Sequence, residues 1–155
     1  MKKAIHIILL FSFVIFHCKA QAHFSSEQLD GTTWIPVIQP PVCIDTITYT
    51  KSKVITKSDF SESYEKTKSH LPDCKKTIIN SKDYYLSDTV PDTFDFSKVN
   101  KTSVGEYIIR YNDIMKTMSF NRIIKLDIAD GILILERYNS LVGFEPVEYR
   151  MIKRK

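Results

Sequence analysis

Residues 120–138 constrain the fold of this chain more than any other segment. They read Phe-Asn-Arg-Ile-Ile-Lys-Leu-Asp-Ile-Ala-Asp-Gly-Ile-Leu-Ile-Leu-Glu-Arg-Tyr, which is two apolar runs around Asp130 and Gly131. An Asp-Gly pair between such runs is a strong β-hairpin signal, because the tight turn needs residues that tolerate positive φ. With these two residues as the turn, Leu126 would lie opposite Leu135 on an apolar face. The segment therefore predicts an antiparallel sheet with one buried face.

Shorter segments alternate between apolar and polar residues. Residues 45–50 and 105–112 both show this period of two, which is typical of half-buried strands. In the second segment Tyr107 and Ile109 share one face. We predict that this face lines the interior and that Arg110 points away from it. With about eight such strands joined by short turns, the sequence predicts an all-β fold, an antiparallel meander barrel.

Two local signals mark the start of the mature domain. Ser25 is followed three residues later by Gln28, a capping-box pattern that predicts a short helical turn. The segment from Gly31 then leads into a first strand that contains Trp34, the only tryptophan. A large aromatic residue at this position is expected in the core, near one end of the barrel.

Residues 1–22 have the composition of a cleavable signal peptide. An apolar stretch, residues 4–16, follows a basic start, and residues 20–22 match the small-x-small pattern that signal peptidase cuts after. The stretch is too short for a stable membrane span. We therefore predict an exported protein, periplasmic or extracellular, with a single barrel domain over residues 23–155. Lipid anchoring through Cys18 is an alternative, although bulky residues precede it where lipoproteins have small ones.

The net charge falls when the signal peptide is removed. The full sequence carries +4 at pH 7, and three of its lysines lie in the signal peptide, so the mature domain is near +1. A domain with so little net charge has no electrostatic basis for binding nucleic acid or an anionic membrane surface. Neither is therefore an expected partner.

Two cysteines remain after processing, Cys43 and Cys74. An even pair in an exported chain predicts a disulfide. A metal site is the alternative for this region, since His70 and Asp73 lie close to Cys74 in the sequence. Three candidate ligands in one loop, without a second group at the usual spacing, do not predict zinc. No metal is therefore expected.

The residues that most catalytic sites need are scarce. The mature domain has only two histidines, His23 at its terminus and His70 in a segment without strand pattern. Neither is expected to be held rigidly beside a nucleophile. The four glycines are too widely spaced for a phosphate-binding loop. We therefore expect neither catalysis nor a cofactor.

Residues 88–101 form a long predicted loop with two isolated aromatic residues, Phe94 and Phe96. Long ordered loops often lie at binding mouths. Isolated aromatic residues can instead plug the end of an apolar core. The sequence is compatible with both roles.

The start and the end of the mature domain resemble the lipocalin-like, or calycin, small β-barrels of bacterial envelopes. The residues that carry the resemblance are Leu29, Gly31 and Trp34 after the helical turn, and Arg150 in the last strand. In that family the tryptophan packs at the closed end of the barrel and an arginine covers it. The resemblance therefore implies that Trp34 and Arg150 close this barrel through a cation–π contact.

The sequence thus predicts an exported, non-enzymatic binding domain with a small apolar ligand inside the barrel. A barrel of this size can also be filled by its own side chains. The second hypothesis is an envelope interaction protein, an inhibitor or immunity protein, that acts through its loops or an outer sheet face. Outward-facing Tyr85, Tyr111 and Tyr138 would favour this second hypothesis. The candidate ligand-lining residues are Tyr49, Tyr107, Ile109, Leu126, Leu133 and Tyr149.

Overall fold

The structure, a computed structural model, describes residues 23–39, 43–61, 76–139 and 141–154 of the 155-residue chain. These ranges contain ten β-strands, a short α-helix and a 3-10 turn. The elements are β1 (Phe24–Ser25), α1 (Ser26–Leu29), β2 (Thr32–Pro36), β3 (Ile44–Tyr49), β4 (Lys53–Asp59), β5 (Thr77–Ser87), the 3-10 turn (Phe96–Lys98), β6 (Val104–Gly105), β7 (Tyr107–Asn112), β8 (Thr117–Asp127), β9 (Ile132–Asn139) and β10 (Gly143–Arg154).

Eight of the strands form a closed antiparallel barrel. β2 to β5 and β7 to β10 follow one another around it, and β10 closes it by pairing with β2. The remaining strands, β1 and β6, pair with each other. The all-β meander barrel that the sequence predicts is confirmed, and its shape is compatible with a calycin-like fold.

The β8–β9 hairpin has the expected position but a different register. Leu126 lies opposite Leu133 rather than Leu135, and the turn contains four residues instead of two. The carboxylate of Asp127 accepts a hydrogen bond from the backbone N–H of Asp130 at 3.0 Å, which stabilises the wider turn. Because the register differs by two residues, the leucines keep the interior face that the sequence predicts.

One end of the barrel is closed by packed side chains. The capping box at Ser25 and Gln28 is present and begins α1, which places Leu29 in the core. The indole N–H of Trp34 donates a hydrogen bond to the hydroxyl of Thr32 at 2.7 Å, and this hydroxyl donates to the carbonyl oxygen of Leu29. The buried indole and the buried hydroxyl therefore both have partners, as stable cores require.

Strand β7 is buried on both faces, and its interior face is the opposite of the one expected. Ile108 and Arg110 face the interior, whereas Tyr107 and Ile109 face outward. Ile109 is nevertheless fully buried. The prediction was wrong because both alternating sets contain apolar residues, so the strand pattern does not distinguish the two faces.

The loop between β5 and β6 explains the burial of this outer face. The ring of Phe94 lies 5.1 Å from Tyr85 and 5.2 Å from Tyr111, and the ring of Phe96 lies 4.9 Å from Tyr111. The ammonium group of Lys98 lies 5.3 Å from the Tyr85 ring. Phe94 and Phe96 therefore neither line a binding mouth nor plug the barrel; they form an apolar layer outside it.

Some predictions fall on parts of the chain that the structure does not describe. Residues 1–22 and 62–75 lie outside the described residues, and with them the signal peptide and the candidate ligands of the β4–β5 loop. Cys74 belongs to the second range, so the disulfide stays a prediction. Within the described residues Cys43 forms no disulfide, and its Sγ lies 3.6 Å from a carboxylate oxygen of Asp45.

Candidate functional site

The open half of the barrel interior contains a cavity of about 330 Å³. It begins where the packed side chains of the closed end stop, and all eight barrel strands contribute to its lining. The interior of an eight-stranded barrel is either filled by side chains or holds one small molecule, and this volume suits the second case.

Three cationic side chains line this cavity. Lys82 comes from β5, Arg110 from β7 and Arg137 from β9. Alternate residues of a strand share a face, so the same interior faces that supply the core also carry the cations. Arg110, for example, lies opposite Tyr84 of the core, and Arg137 follows Leu135 by two residues.

Arg110 is the most constrained of the three cations. Its Nε is buried and has no hydrogen-bond partner within the described residues. Burial lowers the pKa of Arg110, and the charge of Arg137 acts in the same direction, while Tyr49 and Tyr149 oppose this shift. A buried guanidinium nitrogen without a partner is costly, and such costs are found more often in binding sites than in structural cores.

Lys82 lies in the same electrostatic surroundings. Desolvation lowers the pKa of its ammonium group, and the charges of Arg110 and Arg137 lower it further. In the part of the chain that the structure describes, none of the groups that shift the pKa of Lys82 or Arg110 is a carboxylate. Among the described residues, the two cations on β5 and β7 therefore have no negative partner.

The carboxylates of this region lie on a different wall of the barrel. Asp45 of β3 lines the cavity, and its carboxylate accepts a hydrogen bond from the thiol of Cys43. Glu145 of β10 lies opposite Arg137 in the strand register. Negative charge is thus placed near Arg137, on the β3, β9 and β10 side, and away from the β5–β7 wall.

Two tyrosines separate the cavity from the packed closed end. Tyr49 and Tyr149 are each 1 % exposed, and the Arg137 guanidinium donates a hydrogen bond to the Tyr149 hydroxyl at 3.3 Å. The ring of Tyr49 contacts the edge of Tyr84 at a centroid distance of 5.6 Å. Burial raises the pKa of Tyr49, so this residue stays protonated and can donate a hydrogen bond into the cavity.

A β-bulge in β8 determines which of its residues enter the cavity. The pairing with β9 shifts between Ile123 and Lys125, so the alternation changes face at this point. Counting back from Leu126 without the bulge would place Arg122 inside. With the bulge, Asn121 lines the cavity and Arg122 lies outside, 3.4 Å from Glu106.

Two of the six predicted ligand-lining residues line the cavity, Tyr49 and Tyr149. Leu126 and Leu133 pack in or against the core of the closed half instead. The remaining two, both on β7, face outward as described above. The sequence-based set was built from apolar residues, whereas the cavity is largely polar.

Sequence reasoning did not find the three cations. Lys82 and Arg110 lie two residues from Tyr84 and Ile108, which are core residues, so they share the interior face by simple alternation. This signal was not used, because the interior face of β7 was assigned to Tyr107 and Ile109 and no face was assigned to Lys82. Arg137 likewise lies two residues from the core residue Leu135, so alternation places it on the interior face.

Arg150 does not cover Trp34. It lies on the outer face of β10, where its guanidinium is 2.7 Å from the carboxylate of Glu148, and its side chain is 52 % exposed. Trp34 lies on the interior face, opposite Met151 and Ile47. The tryptophan therefore has the role that the resemblance implies, but the arginine points away from the core because neighbouring residues of a strand have opposite faces.

An aromatic row lies on the outer surface of the barrel and consists of Tyr107, Phe120, Phe144 and Tyr138. Successive ring centroids are 6.2, 6.4 and 5.4 Å apart. Tyr138 is 68 % exposed and Phe144 is 56 % exposed. This row crosses β7 to β10, and it lies on the outer face of strands whose inner face lines the cavity.

Metal-ligand clusters and membrane-spanning helices are both absent from the described ranges. There, no group of three or more His, Cys, Asp or Glu side chains could hold a metal ion. The helical segments of the same ranges include none that is long and apolar enough to cross a membrane.

Comparisons of the chain with protein-family models, with curated proteins and with solved structures found no match. The fold and the site define a small antiparallel β-barrel with a polar, positively charged interior cavity.

Proposed function

We infer that this protein is a non-enzymatic binding protein that holds one small molecule in the open half of its barrel. The observation that carries this proposal is the cavity of about 330 Å³ with the unpartnered Nε of Arg110 in its wall. A side chain whose only purpose is to fill a barrel does not need a buried charge, because apolar residues fill space without the cost of desolvation.

The lining indicates a polar ligand rather than the apolar one that the sequence predicts. Apolar residues such as Ile47 and Leu135 contribute to the cavity, but amide, hydroxyl and cationic groups outnumber them. A purely apolar ligand would leave these polar groups without water or partners, which is unfavourable. The proposed ligand therefore carries polar groups, and a location outside the cytoplasm is proposed from the composition of residues 1–22.

Native mass spectrometry of the chain purified from its own host tests the proposal. A retained small-molecule mass that disappears on denaturation is the expected result. Asn80→Trp would place an indole in the cavity and should abolish the retained mass. Ser81→Trp, on the exposed outer face of the same strand, is the matched control and should keep it. A wild-type chain that carries no additional mass would contradict the proposal.

The aromatic row favours a second candidate function, contact with a protein partner through the outer face. Interfaces are enriched in aromatic residues, and Tyr138 and Phe144 are open to solvent. Tyr85 and Tyr111 also face outward, but Phe94 contacts both. Of the three tyrosines that the sequence analysis names for an interface, Tyr138 is thus the one that is open to solvent.

A double substitution separates the two candidates. Tyr138→Ser combined with Phe144→Ser should leave the cavity ligand bound, because both side chains lie outside the barrel. If the outer face is the functional one, the same variant should lose a partner that copurifies with the wild-type chain. Thr46→Ala, on the outward face of β3, is the control for surface changes away from the row.

A further inference from the structure

The charge inside the cavity indicates the chemistry of its ligand. Resting on the binding function inferred above, we propose that the cavity selects a small organic oxyanion, a carboxylate or a phosphate ester, whose charged group contacts Arg110 and Lys82. The reasons are the arrangement of charges, the free donors of the β5–β7 wall and the shape of the remaining lining.

The arrangement of charges favours an anion. Three cations line the cavity, Lys82, Arg110 and Arg137, and within the described ranges the one carboxylate in its lining is that of Asp45. Asp45 and the nearby Glu145 lie on the side of Arg137, so the β5–β7 wall keeps two positive charges. Like charges held together in a partly desolvated space repel each other, and an anion between them removes this repulsion.

The hydrogen-bonding groups of the same wall fit an oxyanion. A guanidinium presents its donors in a planar fork that matches carboxylate and phosphate oxygens, and Nε is part of that fork. In Arg110 this Nε is buried without a partner in the described residues. The ammonium group of Lys82 adds donors of less fixed direction. An oxygen atom from a ligand would supply the partner that Arg110 lacks.

The rest of the lining fits an organic body attached to the charged group. The lining toward the closed half offers aromatic and aliphatic surface, from Tyr49, Tyr149, Ile47 and Leu135. Two tyrosine hydroxyls at this boundary can bond to a further polar group of the ligand. An inorganic anion would contact the cations but would leave this surface unused.

Titration calorimetry with the full chain at low ionic strength tests the proposal. The probes are benzoate and phenyl phosphate, with benzamide as the neutral match and inorganic phosphate as the anion without an organic body. The wild-type chain should bind benzoate and phenyl phosphate but not benzamide. Added salt should weaken both affinities, because the contacts are between charges.

Arg110→Met should lower the affinity for both anions by about 10-fold to 100-fold, the loss expected for a charge-assisted hydrogen bond. It should also raise the unfolding temperature of the ligand-free chain, because an unpaired buried charge is removed. Arg122→Met, which removes an outward-facing arginine of β8, should leave both affinities unchanged, and the loss of its ion pair with Glu106 should not raise the unfolding temperature. Lys82→Met provides a second test should Arg110→Met not fold, with a smaller expected loss of about threefold to tenfold.

The outcomes separate this proposal from the binding function on which it rests. If benzamide binds as well as benzoate and Arg110→Met leaves both unchanged, the oxyanion proposal fails while the binding function stands. If inorganic phosphate binds as tightly as phenyl phosphate, the proposal that the ligand has an organic part in contact with the cavity wall is wrong. If no probe binds and the purified chain retains no molecule, both proposals fail. An Arg110→Met chain that is less stable than the wild type would assign this arginine to the fold instead.

Discussion

The two halves of the barrel interior have opposite chemical character. In the closed half, Trp34, Leu29 and their neighbours are buried, and the indole of Trp34 and the hydroxyl of Thr32 form a short chain of hydrogen bonds. The buried hydroxyl of Tyr84 has no hydrogen-bond partner within the described residues. In the open half, a cavity is surrounded by amides, hydroxyls and three cations, and the Nε of Arg110 has no hydrogen-bond partner in the part of the chain that the structure describes. The same eight strands contribute to both halves.

This difference indicates where stability and where function reside. Burial and close packing of large apolar side chains stabilise the folded state, so substitutions in the closed half should be costly. Desolvation and mutual repulsion of the cations in the open half destabilise it, so substitutions there should be tolerated or even stabilising. Three predictions test this division, in addition to the experiments proposed above.

The largest effect is expected at the tryptophan of the closed half. Trp34→Ala should lower the free energy of unfolding by about 3–5 kcal/mol, because it leaves a cavity and removes the partner of the Thr32 hydroxyl. Asn80→Ala, in the lining of the open half, should change it by no more than about 0.5 kcal/mol. Chemical denaturation of the two variants measures both values. Equal losses would mean that the two halves contribute alike to stability.

A smaller effect is expected at a matched pair of glycines. Gly105 has φ +151°, and a Cβ there would lie 2.1 Å from the carbonyl carbon of Ser87, so Gly105→Ala should cost about 3 kcal/mol. Gly143, at the open end, has φ +83°, and a Cβ there would have no atom within 4 Å, so Gly143→Ala should cost only about 1 kcal/mol of backbone strain.

Thermal unfolding of both alanine variants provides the comparison of the two glycines. The clash at Gly105 is with backbone, which cannot move without disturbing the end of β5. A Gly105→Ala chain as stable as the Gly143→Ala chain would show that this end of the barrel relaxes more easily than its packing implies.

The smallest effect concerns the pH dependence of Lys82. Desolvation first, and the charges of Arg110 and Arg137 second, lower the pKa of Lys82 below its ordinary value of 10.5. The charged form therefore destabilises the folded, ligand-free chain at neutral pH. As the pH rises through the lowered pKa toward the unfolded value, this penalty disappears, so the stability of the wild type should increase relative to that of Lys82→Gln.

Denaturation of both chains between neutral pH and about pH 10 measures this difference. The effect is small because part of the Lys82 side chain remains in contact with water. Over the same range the affinity for an anionic ligand should fall, since the ligand loses a positive partner. A pH-independent difference between the two chains would show that Lys82 is not desolvated in the folded state.

Local sequence patterns predict most of the fold. The Asp130–Gly131 signal locates the β8–β9 hairpin, and the capping box locates the turn of α1, because each depends on neighbouring residues only. The register of the hairpin is different because the Asp127 side chain stabilises a wider turn. The disulfide and the export signal depend on residues outside the described ranges and remain predictions.

Local sequence patterns predict the residues of the candidate site much less well than they predict the fold. Tyr49 and Tyr149 were found because each belongs to a strand with one clearly apolar face. Arg110 was placed outside because β7 has apolar residues on both faces, Ile108 on one and Ile109 on the other. The second face is buried because the loop that contains Phe94 covers it. Phe94 lies too far from β7 in the sequence for a local pattern to show this contact.

The sequence by itself determined an antiparallel all-β barrel, because hairpin turns and alternating strands are local properties of the chain. Tertiary structure alone decided which face of β7 is interior, where the bulge of β8 reverses the alternation, and that Lys82, Arg110 and Arg137 lie around one cavity. The physical reason is that a strand has two faces separated by a single residue. Only the strands and loops packed against it determine which face is enclosed.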